Sequence, residues 1–327
     1  LVEVLPRYRQ LRRRLDETVA AVRESRPDVL LTIDSPDFGL RVARAVGPSV
    51  HRVHYVAPTI WAWREGRARK LRGATDQLLA LFPFEPPLWA AHGIPCDFVG
   101  HPAAAEPVAT GAEARAFRSA FGLSDGPLVL VLPGSRRSEV ARLAPRFGEA
   151  LAIAARARPG LRAVLPVAPG VEAQVAEAVA AWSVRPLLLP PRQDPLALAT
   201  RRAAFRAADV ALAASGTVSL DLAAAGTPMV IGYDFSWLTW QMARRLYRLD
   251  TATLVNIVSG TRAVPEFLGP ACRPAPMAQA LLGTLDAPQA QAEAMRLTME
   301  RLGRGGDAPG LRAARAILAG MHPASQP

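Results

Sequence analysis

LVLVLPGSRRSEV, residues 128–140, decides the fold of this chain. Its five apolar residues form a run typical of a buried strand, and Pro133, Gly134, Ser135 and Arg136 follow directly. The polar residues after this turn begin a helix, so the stretch predicts one strand–turn–helix unit of a parallel α/β sheet. Glycine and serine permit a tight turn with outward N–H groups, and the arginine adds a fixed positive charge. The turn is therefore predicted to hold a phosphate group. A plain turn with a solvated arginine is the alternative, and the GxxxxGK spacing of a Walker loop is absent.

The same alternation of short apolar runs and helical segments extends along the rest of the chain. It predicts two Rossmann-like domains with parallel sheets facing a cleft. The Gly-, Pro- and Ala-rich stretch at 100–111 is interpreted as the hinge. The expected divisions are a first α/β domain, a second α/β domain and a C-terminal helical segment, at 1–104, 105–285 and 286–327. Strands are predicted at 28–33, 51–56, 77–82, 96–99, 128–132, 162–167, 186–189, 210–213 and 229–232.

Composition limits the kind of protein without choosing its function. The 327 residues carry a formal net charge of +11, and Lys70 is the one lysine among 39 basic residues. Such a charge suits anionic partners, which include nucleic acid, phosphorylated metabolites and membrane surfaces. No apolar run reaches the roughly 18 residues that span a bilayer. Cys96 and Cys272 are expected to be ordinary thiols in a reducing compartment. Because the chain starts at Leu1, without Met or a leader, nothing argues for secretion, and we expect a fragment.

A second glycine–serine turn follows the predicted strand at 210–213. In ASGTVSLD, residues 214–221, Ser215, Gly216 and Thr217 can cap the next helix and leave its amides free for a second anionic group. Asp221 lies one turn further along, where a carboxylate can accept hydrogen bonds from ribose hydroxyls. Two such turns in one domain favour a nucleotide diphosphate over ordinary capping.

The first domain offers two candidate general bases in TIDSPDF, residues 32–38. Asp34 and Asp37 follow a predicted strand, and Pro36 is expected to keep Ser35 extended in a rigid turn. A carboxylate held in this way can accept a proton from a substrate hydroxyl. Helix capping is the alternative role, with more weight for Asp37 than for Asp34. Metal ligands are lacking nearby, and no metal is predicted.

Two segments combine aromatic residues with arginines, at 54–72 and 235–248. Such a combination suits an anionic membrane interface or stacked bases. A half-buried helix with a solvated basic face is the alternative. The residues concerned are Trp61, Trp63, Arg64, Arg67, Arg69, Lys70 and Arg72 in the first segment, and Phe235, Trp237, Trp240, Tyr247 and three arginines in the second.

Several strings, taken together and in order, resemble the lipid-A-disaccharide synthase family of inverting glycosyltransferases. The two most specific are HYVAPTIWAWR at 54–64 and LPGSRRSEV at 132–140. The others are VEVLPR (2–7), IDSPDF (33–38), PFEPPLW (83–89), FVGHP (98–102), ASGTVSLD (214–221), PMVIGY (228–233) and VPEF (264–267).

The resemblance implies a GT-B-like fold with a truncated acceptor-side domain at 1–104, a UDP-sugar-binding domain at 105–285 and a helical tail at 286–327 that returns to the first domain. It also implies the transfer of a diacylated glucosamine from UDP-2,3-diacylglucosamine to 2,3-diacylglucosamine 1-phosphate (lipid X). No metal or other cofactor is required. Asp34, or else Asp37, would deprotonate the acceptor's 6-hydroxyl, and Arg136 with the two helix starts would stabilise the departing diphosphate. Asp34, Arg136 and Asn256 match positions at which the family is functionally sensitive. The resemblance also implies a cytoplasmic protein that associates peripherally with the anionic inner-membrane surface, forms homodimers and has no nucleic-acid partner.

This sequence departs from the family pattern in four respects. The family's GExSGD loop would lie upstream of Leu1, and its absence is expected to expose the remaining sheet and to bear on activity. Asp221 stands where glutamate is usual, Asp234 follows the tyrosine of PMVIGY where a basic residue is usual, and Val255 replaces a common proline.

Three alternatives remain open at the level of sequence. One is another UDP-sugar enzyme of the same architecture, such as an epimerase or the transferase that acts on lipid-linked muramyl pentapeptide. Another is a basic, non-catalytic protein that binds nucleic acid or membrane, and the third is an inactive truncated chain. No recognisable nucleic-acid module supports the second alternative.

Overall fold

A computed structural model describes residues 8–61, 66–191, 194–235, 241 and 250–321. The chain divides into two compact units. Within the described residues, 8–105 and 302–321 belong to the first unit and 106–301 to the second. The predicted α/β class with two parallel sheets is confirmed, with four strands in one sheet and six in the other.

The sheet of the first unit has the strand order β1-β2-β3-β4, with every neighbouring pair parallel. Its strands are β1 Val29–Ile33, β2 His51–Tyr55, β3 Gln77–Ala80 and β4 Cys96–Phe98. Its described helices are α1 Tyr8–Ser25, α2 Pro36–Val46, α3 Arg67–Leu71, α4 Glu85–Ala90, α5 Pro102–Ala105 and α14 Pro309–Met321.

The core of the first unit forms around β3, all four residues of which are buried. Trp89 of α4 is fully buried in this core. The last helix, α14, packs on the same strand, and Gln77 Nε2 donates to the Ala316 carbonyl at 2.9 Å. Strand β1 lies at the sheet edge, where Leu31 and Ile33 are exposed.

The sheet of the second unit has the order β10-β9-β8-β5-β6-β7, again entirely parallel. Its strands are β5 Leu128–Leu132, β6 Arg162–Pro166, β7 Leu187–Leu189, β8 Val210–Ala214, β9 Met229–Tyr233 and β10 Glu266–Leu268. Its described helices are α6 Gly111–Ala120, α7 Arg137–Ala157, α8 Glu172–Ala180, α9 Pro195–Ala207, α10 Val218–Ala225, α11 Leu254–Ser259, α12 Pro274–Asp286 and α13 Gln289–Arg301.

This order creates a topological switch point between β5 and β8. From β5 the chain builds outward through β6 and β7, then returns to the other side of β5 with β8, β9 and β10. Every residue of β5 and of β8 is buried, which is why each reads as an unbroken apolar run. In open α/β sheets, ligands bind beyond the carboxyl ends of the strands at such a point.

Two features differ from what the sequence analysis expected or left open. Strand β10 was not predicted, because it has three residues and directly follows Pro265 at the sheet edge. The segment expected as one tail is shared between the units, since α13 lies in the second and α14 in the first. The predicted domain limits stay predictions. None of the described helices is both long and apolar enough to cross a bilayer.

Candidate active site

The two glycine–serine turns predicted from sequence lie at the ends of neighbouring strands. Leu132, the last residue of β5, is paired with Ala213 of β8. The turn at 133–136 leads directly into α7, and the turn at 215–217 leads directly into α10. Two helix N-termini therefore begin beside each other at the switch point, and the N–H groups at both favour negative charge.

The first turn already holds an anion, which is the side chain of Glu139. The Oε2 atom of Glu139 accepts hydrogen bonds from the backbone N–H groups of Ser135 at 3.1 Å and Arg136 at 3.3 Å. Its Oε1 atom accepts one from Arg136 Nη1 at 2.9 Å. The Arg136 side chain is otherwise open, with 76% of it exposed. Gly134 has φ +115°, a conformation that favours glycine.

Glu139 was not among the predicted site residues, although the sequence carries a signal for it. A glutamate three residues after the residue that precedes a helix is the capping-box pattern. The Tyr233 hydroxyl, at the end of β9, also lies 3.4 Å from Glu139 Oε1. Burial raises the pKa of Tyr233, which keeps its hydroxyl protonated as a donor.

The second turn has no comparable occupant among the described residues. Thr217 is the N-cap residue of α10, but its side chain makes no capping hydrogen bond, contrary to the capping expected for this turn. Ser219 Oγ instead donates to the Gly216 carbonyl at 2.9 Å. Ser215 is half-buried, whereas Gly216, Thr217 and Asp221 are exposed. Asp221 lies in the first turn of α10, where the sequence predicted a ribose contact.

Asn256, predicted as a binding residue, lies in the interior of the second unit. It is fully buried on α11. Its Nδ2 donates to the Val264 carbonyl at 2.9 Å and to Thr251 Oγ1 at 3.3 Å, and its Oδ1 accepts from the Val264 N–H at 3.0 Å. All of these partners are protein groups, so the side chain holds two loop segments together and does not reach solvent.

The departure at Asp234 has a local structural explanation. Its carboxylate forms an ion pair with Arg146 of α7. Val255, at the position of a common family proline, is fully buried in α11. Neither residue lies in the two turns at the switch point.

In the first unit, both candidate bases are exposed at the end of β1. The Asp34 N–H donates to the Tyr55 carbonyl at 3.0 Å, which prolongs the β1–β2 ladder by one residue. Asp37 lies in the first turn of α2. The prediction that Ser35 is extended is wrong, because Ser35 has φ 41° and ψ 58° and Asp34 has φ 51°. The proline at 36 disfavours only the right-handed helical region before it, and two left-handed residues reverse the chain from strand to helix at once.

His54, which the sequence analysis did not use, lies on the strand next to this turn. It is fully buried, and its Nδ1 lies 2.8 Å from Thr32 Oγ1. Burial lowers the pKa of His54 to about 4, against an opposing effect of the Asp34 charge. The imidazole is therefore neutral at physiological pH. Its Nε2 has no hydrogen-bond partner in the described part of the chain.

A buried carboxylate lies in the aromatic region of the same unit. Glu85 is 2% exposed and accepts hydrogen bonds from Trp61 Nε1 and the Phe82 N–H, both at 3.1 Å. Burial raises the pKa of Glu85 to about 7. Trp61, half-buried, packs edge-to-face against Phe82 and Phe84.

Most of the predicted aromatic and basic side chains lie outside the described part of the chain. Arg69 and Arg72 are exposed, and Arg72 Nε donates to the His92 carbonyl. Outside the described residues or side chains lie Trp63, Arg64, Arg67, Lys70, Trp237, Trp240, Tyr247 and the arginines at 244, 245 and 248. The described residues contain no cluster of three or more His, Cys, Asp or Glu placed to hold a metal ion.

Solved structures with the same fold are UDP-sugar enzymes of low sequence identity. A putative UDP-N-acetylglucosamine 2-epimerase from Listeria monocytogenes has a TM-score of 0.66 and 16% identity, with 97% of this chain and 80% of that chain covered. The UDP-GlcNAc 2-epimerase from Neisseria meningitidis, solved bound to UDP-GlcNAc, has a TM-score of 0.62 and 14% identity, with 93% and 80% covered. These similarities concern the fold alone.

Sequence relatives are much closer and share one name. A lipid-A-disaccharide synthase from Ruegeria pomeroyi is 58% identical over 322 residues, which cover 97% of this chain and 80% of that protein. The enzyme of the same name from Rhodospirillum centenum is 45% identical over 325 residues, with 97% and 79% covered. The sequence profile described as Lipid-A-disaccharide synthetase matches residues 1–307. The chain therefore belongs to the lipid-A-disaccharide synthase family of glycosyltransferases, whose role is the synthesis of the lipid A disaccharide.

Proposed function

We propose that this chain transfers a diacylated glucosamine from UDP-2,3-diacylglucosamine to lipid X, with inversion at the anomeric carbon. The observation that carries the proposal is the position of the two turns at 133–136 and 215–217 on the neighbouring strands β5 and β8. Two adjacent helix N-termini provide fixed N–H donors, which suit a diphosphate. Arg136 adds a guanidinium that is open to solvent on one side.

In this proposal the nucleotide lies along the switch point of the second unit. The diphosphate accepts hydrogen bonds from the turn at 133–136 and from the start of α10. The ribose hydroxyls donate to Asp221, which is exposed in the first turn of α10. Asn256 contributes indirectly in this proposal, because it is buried and its hydrogen bonds fix the segments at 251 and 264.

Asp34 is the base in the proposed reaction. It takes the proton from the 6-hydroxyl of lipid X while that oxygen forms a bond to the anomeric carbon and the bond from that carbon to UDP breaks. Negative charge then develops on the departing diphosphate, where Arg136 and the helix N-termini stabilise it. Asp34 is preferred over Asp37 because it has a left-handed backbone, a kind of strain that is concentrated at functional sites. Asp37 lies where a carboxylate stabilises a helix start.

The test is disaccharide formation from the two lipid substrates, with UDP binding titrated in parallel. Asp34→Asn is expected to lower turnover at least about 100-fold, the smaller end of the usual effect of a general base, and to leave UDP affinity within about twofold. Asp28→Asn is the matched control, since Asp28 is an exposed aspartate just before the opposite end of the same strand. Loss of UDP binding in a folded Asp34→Asn protein would contradict the assignment, and full activity would transfer the role to Asp37.

Arg136→Ala tests the nucleotide site separately. It is expected to weaken UDP binding about tenfold or more, because a charge-assisted hydrogen bond contributes about 1.5–3 kcal/mol. Arg156→Ala, at the far end of the same helix, removes the same charge and should leave UDP affinity unchanged. Equal effects of the two substitutions would show that only net charge matters.

The lipid substrates suggest that the protein also associates with the anionic face of the inner membrane. The net charge of +11 and the aromatic–arginine segments support this proposal. Replacing Trp61, Trp63, Trp237 and Trp240 should reduce binding to vesicles that contain anionic lipid. Unaltered binding would remove these residues from the membrane contact. Self-association stays a prediction.

A further inference from the structure

Glu139 occupies the donors that the proposed function assigns to the diphosphate. Its carboxylate accepts from the N–H groups of Ser135 and Arg136 and from the Arg136 guanidinium. The Glu139 side chain is mostly enclosed, with 13% of it exposed, whereas Arg136 is largely open. An anionic ligand cannot use these three donors while the carboxylate stays in place.

These contacts exceed those of an ordinary helix cap. A glutamate at the third helical position typically accepts one backbone hydrogen bond, from the N-cap residue. Glu139 makes that bond with Arg136 and also takes the N–H of Ser135 in the preceding turn. The turn is shaped around it, because a Cβ atom at Gly134 would lie 2.6 Å from Glu139 Cβ and 2.7 Å from its Oε2.

We propose that Glu139 is an exchangeable internal anion, which neutralises the diphosphate site of the empty enzyme and is displaced from the amides of Ser135 and Arg136 when the nucleotide binds. This inference rests on the proposed function. The displaced carboxylate has a second donor at hand, since the Tyr233 hydroxyl already lies 3.4 Å from its Oε1. The exchange swaps one set of charge-assisted hydrogen bonds for another, so UDP binds less tightly than to an open site.

The exchange has a use in the reaction cycle. A site with unpaired N–H groups and a free arginine binds any anion, including the UDP product and inorganic pyrophosphate. An internal carboxylate lowers the affinity for all of these anions. The contacts with the sugar and with the uracil of the nucleotide then determine which ligand binds. The carboxylate also assists the departure of UDP, because it can return to the amides as the diphosphate leaves.

The experiment measures the affinity of the folded chain for UDP and for inorganic pyrophosphate by calorimetry. The variants are Glu139→Gln and Glu139→Ala. Glutamine keeps an acceptor for the turn but forms neutral hydrogen bonds, which are roughly half as strong as those of a carboxylate. UDP should therefore bind about tenfold more tightly to Glu139→Gln, equivalent to about 1.4 kcal/mol. Pyrophosphate should gain by the same factor.

The matched control is Glu149→Gln, which removes an exposed carboxylate from the same helix and raises the net charge equally. It should leave both affinities unchanged. A purely structural cap gives the opposite pattern, because Glu139→Gln would then have no effect and Glu139→Ala would weaken UDP binding through a disordered turn. Either that pattern or equal gains in Glu139→Gln and Glu149→Gln overturns the proposal.

Failure of the proposed function itself would look different. In that case the unsubstituted chain binds UDP no better than Arg136→Ala does, and the assignment of the site falls together with the exchange. If UDP binding depends on Arg136 while Glu139→Gln gains nothing, the nucleotide site stands and only the exchange is refuted. Glu139→Gln is the decisive variant, since its retained acceptor keeps α7 capped if Glu139→Ala proves unstable.

Discussion

Replacing Asn256 by alanine should destabilise the second unit without touching the nucleotide site. The substitution removes the hydrogen-bond partner of both the N–H and the C=O of Val264, a residue that is 2% exposed. An unsatisfied buried polar group costs about 1–3 kcal/mol. Two such groups, partly relieved by local relaxation, give an expected loss of about 3 kcal/mol in the free energy of unfolding.

The assay is urea unfolding followed by circular dichroism, with UDP binding measured on the folded protein. Ser259→Ala is the control in the same helix, since it removes a hydroxyl that lies 2.8 Å from Thr261 Oγ1 and 3.5 Å from the Asn256 carbonyl, and it should cost only about 1 kcal/mol. UDP affinity of folded Asn256→Ala should stay within about twofold of the unsubstituted value. A loss of less than about 1 kcal/mol combined with tenfold weaker UDP binding would refute the structural role and return Asn256 to the ligand site.

The remaining predictions concern single side chains in each unit. Gly134→Ala should weaken UDP binding more than tenfold, because its φ is +115° and an added Cβ would lie 2.6 Å from the Glu139 Cβ, which stays in place when the carboxylate is displaced. Gly122→Ala, at φ +63° with open space around it, should lower stability alone. Asp221→Ala should weaken UDP binding several-fold and leave pyrophosphate binding unchanged, since it removes only the ribose contact; equal losses for both ligands would contradict that role. Glu85→Gln should remove a pH dependence of stability. The pKa of Glu85 is raised from 4.5 to about 7, so between these pH values the native state keeps a proton that the unfolded state releases. The free energy of unfolding of the unsubstituted protein should therefore fall by about 3 kcal/mol relative to that of Glu85→Gln as the pH rises from 4.5 to 7. A constant difference between the two unfolding free energies over that range would show that Glu85 is not held protonated.

The sequence predicts the sheet of the second unit well because burial there is nearly complete. Every residue of β5 and β8 is enclosed on both faces, and such strands appear as uninterrupted apolar runs. The order of the strands does not follow from these runs. Strand β8 lies next to β5 because segments about 80 residues apart in the sequence pack together. The proximity of the two turns depends on the same packing.

Exposure distinguishes the predicted site residues that face solvent from the one that is buried. Arg136, Asp34 and Asp221 project into solvent, as expected of groups that bind or react. Asn256 matched the family equally well and is fully enclosed by protein partners. A match to the family marks positions at which substitution impairs the protein. A buried side chain that joins two segments by hydrogen bonds is such a position, just as a ligand-binding residue is. Burial and partners are three-dimensional properties, and a single asparagine in the sequence carries no sign of them.

Glu139 is the opposite case to Asn256. Its sequence pattern is recognisable, but the consequence of that pattern is seen only in the structure. Its spacing from Arg136 predicts a capping box, which ordinarily concerns helix stability alone. The structure adds that the same carboxylate takes the Ser135 N–H and the Arg136 guanidinium. Those are the donors on which the prediction of a phosphate site was based. A turn rich in N–H donors attracts an anion whether or not the ligand is present, and a glutamate three residues away is the nearest one available. The affinity of such a turn for nucleotide therefore reflects the difference between the free energies with which the turn binds the diphosphate and the Glu139 carboxylate. Removing the carboxylate is the direct way to measure that difference.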